Sequence, residues 1–451
     1  MTLQRHHAYY SPANETTTAA EPAVAASGAN RWVQAALGVV CMFMIANLQF
    51  GWTVFVNPLS ETMHWSIAAI QVSFTIFVLI ETWLVPFEAA LVDKFGPRVM
   101  VVGGGILTGL GWVCNGQIHS LAGLYAGGAL AGIGAGMIYG TCVPNAVKWF
   151  SKHRGLAAGV TVAGFGAGAA LTVMPLVYMI QRVGPFPTFT FFGIVQGAVI
   201  VLCGLFLVSP PATAAARRND ESRCLQGVSD MTLGQTLRSP VFWVMYVMFT
   251  LVAASGLMAV AQLAPIAKAF HIGKVPIHVG LWTVPALLLT LQLNNIVGGI
   301  ARPLLGWISD YVGREKTLCV AFIAEGIGVW AFSRYGHTPL SFILLAAVVF
   351  FAWGEIYSIF PSLMRDHFGQ RYAATNYGAL YTAKGVGSLL VPISGVIAAS
   401  SGGWAAALYL AAAMNIVAAI LAAVLWPLRV REISRSRVED AATAVATAYP
   451  S

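Results

Sequence analysis

Two basic residues stand inside long apolar stretches: Arg302 in Asn294-Asn295-Ile296-Val297-Gly298-Gly299-Ile300-Ala301-Arg302-Pro303, and Lys384 in Gly378-Ala379-Leu380-Tyr381-Thr382-Ala383-Lys384. An ionisable group inside such a stretch costs about 3 kcal/mol or more if the stretch crosses a bilayer, so it calls for a function. Arg302 lies eight residues before Asp310 and Lys384 thirteen after Arg371. At a helical rise of about 1.5 Å per residue these distances are ~12 Å and ~20 Å from the polar edge, too deep to reach water. A guanidinium offers a planar fork to a carboxylate and an ammonium a compact point charge, so the pair suits a small carboxylate anion. The alternative is that buried acids neutralise both cations and the pairs merely tie helices together. Glu81, Glu325 and Glu355 are such acids, Glu81 twelve residues before Asp93 and Glu355 ten before Arg365. A carboxyl at that depth takes up a proton unless it is paired. Glu81 and Glu355 are therefore either ion-pair partners or proton-coupling groups; Glu325 reads as neutral or structural, and Glu88 as part of a surface loop network. Phe50, Trp52, Tyr139, Phe165, Trp353 and Tyr357 stand near the same depth, where an aromatic can cage a ligand or simply pack. Gln49 is a polar donor in an apolar run and a stronger candidate than its neighbours.

The elements that hold these residues follow from composition. Of 451 residues 58% are hydrophobic and 9% charged, with a mean hydropathy of +0.74. A soluble domain carries about 25% charged residues. Within lipid only helices or a closed barrel satisfy the backbone, and the long runs lack the alternation of barrel strands. Twelve transmembrane helices are predicted, near 32–56, 68–91, 99–117, 121–146, 156–180, 186–208, 240–267, 279–308, 317–333, 340–363, 375–398 and 403–427. Most of the 25 Lys and Arg then fall on the loops of one side, while Arg182, Lys268, Lys274 and Arg334 fall on the other. The positive-inside rule makes the richer side cytoplasmic and places both termini there. The net charge of +8 is thus topological and implies no nucleic acid. The expected setting is multi-pass, in a bacterial inner membrane, as a monomer. Residues 1–30 and 429–451 read as cytoplasmic tails and 209–239 as a cytoplasmic linker between a half at 31–208 and a half at 240–428. The six cysteines are scattered and read as small packing residues. No spacing indicates a metal or a cofactor. The histidines form no catalytic constellation, which argues against an enzyme, and a sensor would lack a signalling domain.

A single offset of 217 residues aligns Pro86 with Pro303, Asp93 with Asp310, Gly96 with Gly313, Pro144 with Pro361, Arg154 with Arg371 and Pro175 with Pro392. The chain is therefore a duplicated six-span unit, an all-α membrane fold of two pseudo-symmetric halves. In one established plan of this kind the substrate site lies near the midplane between the halves. Asp93-Lys94-Phe95-Gly96-Pro97-Arg98 follows the second span and Asp310-Tyr311-Val312-Gly313-Arg314 the eighth. Both resemble the D-(R/K)-x-G loop of the major facilitator superfamily, whose Asp, Gly and Arg are expected to latch the two halves on the cytoplasmic side. Gly128, Gly132, Gly136 and Gly140 recur every four residues, a spacing that lets helices approach closely.

With Gln49-Phe50-Gly51-Trp52-Thr53, Lys148-Trp149-Phe150, Arg154-Gly155-Leu156-Ala157, Trp353-Gly354-Glu355, Arg302-Pro303 and Asn376-Tyr377-Gly378 leading to Lys384, the chain resembles the oxalate:formate antiporter family of that superfamily across all twelve spans. The resemblance implies that Arg302 and Lys384 bind the two carboxylates of oxalate, with Gln49, Tyr139, Trp353 and Tyr357 around them. It also implies electrogenic exchange of divalent oxalate for monovalent formate by alternating access. Phe50 and Phe165 stand where the family's best-known member carries tyrosines, and Glu81 and Glu355 add negative charge. A proton-coupled monocarboxylate or other organic-anion symporter is the alternative on the same fold.

Overall fold

The computed structural model describes residues 30–150, 154–210, 230–279, 282–369 and 372–425. The tails, most of the central linker, Arg371 and the side chains of Asp93 and Arg154 lie outside the described residues. Eleven helices among the described residues are long and apolar enough to cross a membrane. A further helix, Ala286–Val312, fills the eighth position and is made more polar by Asn294, Asn295, Arg302 and Asp310. The twelve-helix plan therefore stands, with local differences.

The eighth span begins later than expected. Residues Pro276–Val279 and Trp282–Pro285 form a two-stranded antiparallel hairpin, β1 and β2, before the helix starts at Ala286. Pro276 and Pro285 and the β-branched Ile277, Val279, Thr283 and Val284 favour extended backbone, and Pro285 supplies no helical N–H. The first span is broken into Arg31–Phe50 and Thr53–Met63, the tenth into Pro339–Trp353 and Ile356–Phe368, and the eleventh into Ala373–Ser388 and Leu390–Ser400. Gly96 (φ 77°) and Gly313 (φ 101°) turn the chain between the second and third and the eighth and ninth spans, in a conformation that favours glycine.

The halves meet through pairs that obey the repeat. The second span packs on the eleventh, its repeat-related pair is the eighth on the fifth, and the first meets the seventh. Fully buried apolar side chains run through the interior of both halves, among them Ile45, Phe55 and Phe189 in the first and Phe249, Phe342 and Phe360 in the second. The glycine ladder of the fourth span faces the second. A Cβ at Gly132 would lie 2.7 Å from the Phe77 carbonyl oxygen, and one at Gly128 2.9 Å from that of Ser73. Backbone contact this close fixes the second span, and with it Glu81, against the fourth.

Proline chemistry ties the halves on the side that carries the hairpin. Pro265 offers no N–H to the Ala261 carbonyl and Pro392 none to that of Ser388. Both freed oxygens are taken by one face of the second span: Gln71 Nε2 donates to Ala261 at 2.7 Å and Thr75 Oγ1 to Ser388 at 2.7 Å. Thr53 Oγ1 accepts from the Ala264 N–H at 2.9 Å, and Lys268 pairs with Glu61 at 2.5 Å at the surface.

Candidate functional site

Two helix interruptions and the buried cation Lys384 define the centre of the molecule. The first span breaks directly after Gln49 and Phe50, and the tenth breaks at Gly354-Glu355, between Trp353 and Tyr357. Pro361 leaves the Tyr357 carbonyl without a helical donor, and Pro303 does the same for Gly299, one turn before Arg302. These breaks let side chains from the first, fourth, fifth, eighth, tenth and eleventh spans turn toward one space.

Contacts link the expected Phe50, Phe165, Tyr139, Tyr357 and Trp353, through Tyr381, into an open ring of aromatics. Phe50 meets Phe165 edge-on at 5.3 Å and Phe165 meets Tyr139 at 6.3 Å. Tyr139 stacks on Tyr381 at 5.9 Å, Tyr381 meets Tyr357 at 6.3 Å, and Tyr357 meets Trp353 at 5.4 Å. The Tyr357 ring lies between the cations, 5.5 Å from Arg302 Cζ and 5.9 Å from Lys384 Nζ, within cation–π range of both.

The two cations are in different electrical situations. Lys384 is 2% exposed and its ammonium, which has three donors, meets three oxygens: Gln49 Oε1 and Glu81 Oε2 at 3.0 Å and Tyr381 Oη at 3.3 Å. Arg302 holds Nε and Nη1 buried with no hydrogen-bond partner. Trp353 Nε1 and Tyr357 Oη, on the same ring, are also buried and unpartnered. Buried donors are nearly always satisfied, so the unsatisfied guanidinium, with the Tyr357 ring packed against it, fits a bound acceptor such as a carboxylate.

Some expectations need correction. Trp52 stands outside the ring: it packs against Phe74 and Phe189 and donates Nε1 to Gln71 Oε1 at 3.0 Å, joining the ties between the halves. Glu88 is no surface group. It is 1% exposed, its oxygens unpartnered, against the backbone of Gly136 and Gly140 of the fourth span, where the missing side chains leave it room. Glu355 is fully buried and its carboxylate oxygens have no hydrogen-bond partner, so of the two acids weighed as ion-pair partners Glu81 is the one on Lys384. Glu325 is buried on the ninth span near Asn415 and Ser255. In the loop after the eighth span, Arg314 meets Asp310 at 3.1 Å and Asp366 of the tenth span at 2.6 Å. That bond closes within one half, where a latch between halves was expected. In the matching first-half loop, Arg98 is exposed and Lys94 lies 5.3 Å from the Phe95 ring.

Sequence reasoning missed Tyr377 and Tyr381, whose rings lie 5.8 Å apart. They stand at i and i+4 with Lys384 at i+7, a helical stripe that could have been read directly. It also missed Gly256, where a Cβ would collide with the Trp353 indole.

Comparison with known proteins decides the family. Residues 36–392 and, in a second match, 282–449 fit the profile described as Major Facilitator Superfamily. The chain belongs to the major facilitator superfamily. It is a multi-pass membrane transporter and not an enzyme. Among curated relatives of this superfamily, the chain is 33% identical over 408 residues to "Oxalate:formate antiporter" of Oxalobacter formigenes, covering 90% of this chain and 94% of that protein. It is 25% identical over 362 residues to "Uncharacterized MFS-type transporter YhjX" of Escherichia coli K12, covering 80% and 86%. It is 25% identical over 337 residues to human "Monocarboxylate transporter 11", covering 69% and 63%.

For this superfamily member the Gly256 contact gives a test of the ring. Gly256→Ala is expected to push the Trp353 indole off its place and to lower transport about 10-fold or more. Some loss of stability is expected with it, since the indole that must move is rigid and 3% exposed and overpacking costs about 1–3 kcal/mol. Trp fluorescence and uptake on the same preparation check it; unchanged uptake would mean that Trp353 faces no ligand.

Proposed function

We propose that the protein is a secondary transporter of small carboxylates, which bind between Arg302 and the ring of Tyr139, Trp353 and Tyr357 and cross by alternating rocking of the two halves. The observation that carries this reading is the buried, unpartnered Nε and Nη1 of Arg302, whose Cζ lies 5.5 Å from the Tyr357 ring. Exchange of oxalate for formate is the finer form of the reading, supported by the name and coverage of the Oxalobacter relative. A second reading, carriage of monocarboxylates alone, is favoured by the pairing of Lys384 with Glu81 and by the human relative's name. An empty cavity with an unpaired guanidinium is costly to occlude, so the halves reorient readily only when loaded. The orientation proposed from charge puts the hairpin outside, the termini and the linker 209–239 in the cytoplasm, and halves 31–208 and 240–428 on either side of the site. The setting is a bacterial inner membrane and the working unit a monomer.

The test is uptake of labelled oxalate by liposomes holding the purified protein with formate, oxalate or nothing inside. Uptake that requires an internal carboxylate supports exchange. Failure to take up oxalate together with uptake of formate or lactate moves the assignment to the second reading, and failure with every carboxylate removes the proposal.

A further inference from the structure

The Glu81–Lys384 pair bears on charge balance, and its role in that balance rests on carboxylate transport through Arg302. Glu81 comes from the second span and Lys384 from the eleventh, so the 3.0 Å pair crosses the interface between the halves. Both side chains are 2% exposed, and the ammonium has no donor left for a ligand while Gln49, Glu81 and Tyr381 hold it. The site therefore offers Arg302 alone to a first carboxylate. The other titratable or charged groups acting on this corner are Tyr377 and Tyr381 of the eleventh span, Tyr139 of the fourth, Tyr357 of the tenth, Arg302 of the eighth, Glu325 of the ninth and, on the side of Glu81 itself, Glu88. Among them Lys384 and Arg302 are the cations. Glu88 is buried with no hydrogen-bond partner, and the charges that pair with one another or face a ligand are those of Arg302, Lys384 and Glu81.

We infer that Glu81 is a displaceable internal carboxylate that makes the exchange of a dianion for a monoanion electroneutral in this chain, in place of the electrogenic exchange that the family resemblance implies. A monocarboxylate binds Arg302 and leaves the Glu81–Lys384 pair intact. The four charges, two positive and two negative, cancel. A dicarboxylate binds Arg302 with one carboxylate and Lys384 with the other, and must displace Glu81. Stripped of its cation in a dry site, the Glu81 carboxylate takes one proton from the side on which the dianion enters. The charges again cancel. When the dianion leaves, Lys384 returns to Glu81, which releases the proton to that side. One proton thus travels with each dianion, no covalent bond changes, and both loaded forms cross the membrane uncharged. The unloaded form keeps the charge of Arg302, which is the form least able to occlude. Without Glu81 the dianion form stays neutral, but the monoanion form carries one uncompensated positive charge.

The experiment uses the full chain in liposomes loaded with formate, external labelled oxalate near neutral pH, protein-free liposomes as the blank, and potassium diffusion potentials set with valinomycin. For the wild type, the steady-state oxalate accumulation is expected to shift less than about twofold between 0 and 100 mV. It is expected to rise about tenfold for each pH unit by which the outside is made more acidic. Glu81→Gln should reverse both: accumulation shifting by up to roughly 50-fold per 100 mV, the weight of one net charge, and indifferent to the pH gradient. If Glu81→Gln does not fold, Glu81→Asp, which keeps the acid, should retain the wild-type behaviour, and the wild-type potential series stands by itself. A wild type whose accumulation follows potential with that slope overturns the inference and leaves carboxylate exchange standing. A wild type that carries formate but refuses oxalate and other dicarboxylates also overturns it, since Glu81 is then never displaced. Transport of no carboxylate removes the underlying reading as well.

Discussion

Arg302→Ala is expected to lower carboxylate uptake by at least about 100-fold while leaving the protein folded. The separation of these effects follows from its surroundings. Its buried Nε and Nη1 bond to nothing, and its cation–π contact with Tyr357 at 5.5 Å is worth about 0.5–2 kcal/mol. Removing the side chain therefore forfeits little in the empty protein. With a carboxylate bound, two charge-assisted hydrogen bonds disappear, at about 1.5–3 kcal/mol each. Together they amount to two to four powers of ten in affinity. Arg302→Lys keeps the charge and loses the planar fork, so an intermediate loss of about 10- to 100-fold is expected. Initial uptake rates and the melting temperature of the purified variants check both. Uptake that survives Arg302→Ala, or a melting temperature that collapses with it, would place Arg302 in the scaffold.

How much of this was legible in the sequence depends on the range of the interaction. The spans, the repeat and the two intramembrane cations are local facts, since hydropathy is read over about twenty residues and a charge inside a span announces itself. The start of the eighth span was misplaced because the apolar residues before Ala286 are β-branched and bounded by Pro276 and Pro285; hydropathy rises there, but the backbone is a hairpin. Trp52 and Phe50 are near neighbours in sequence, yet the break at Gly51-Trp52 sends Phe50 to Phe165 and Trp52 to Gln71. Depth alone could not separate them. The partner of Lys384 was narrower still to decide. Glu81 and Glu355 stand at comparable depth, and only the packing of the second span on the eleventh brings Glu81 to the ammonium. The same packing explains the proline ties, because a carbonyl freed by Pro265 or Pro392 is visible in sequence while the Gln71 and Thr75 that take it belong to the other half.

The pair itself predicts a second large effect, and a pattern that single substitutions cannot show. Glu81→Met leaves a buried ammonium with only Gln49 and Tyr381, and Lys384→Met leaves a buried carboxylate with no cation. Removing one member of a buried pair costs about 3–5 kcal/mol, less whatever each orphan recovers by changing its protonation. Each single variant should therefore melt well below wild type, by roughly 10 °C at about 2–4 °C per kcal/mol for a half of this size. The double variant replaces the pair with apolar side chains of similar length and should recover most of that loss. Its transport is expected to split by substrate. Arg302 then faces the ligand as a single cation, so formate loads to a neutral cavity and formate-for-formate exchange continues within about tenfold of wild type. Oxalate loads to an excess negative charge with no second cation, and its exchange should fall by at least about 100-fold. Melting curves and the two exchange rates on the same four proteins read the result. A double variant that is no more stable than the singles would mean that the halves are not held through this pair. One that still carries oxalate would mean that Lys384 never receives a carboxylate from the substrate.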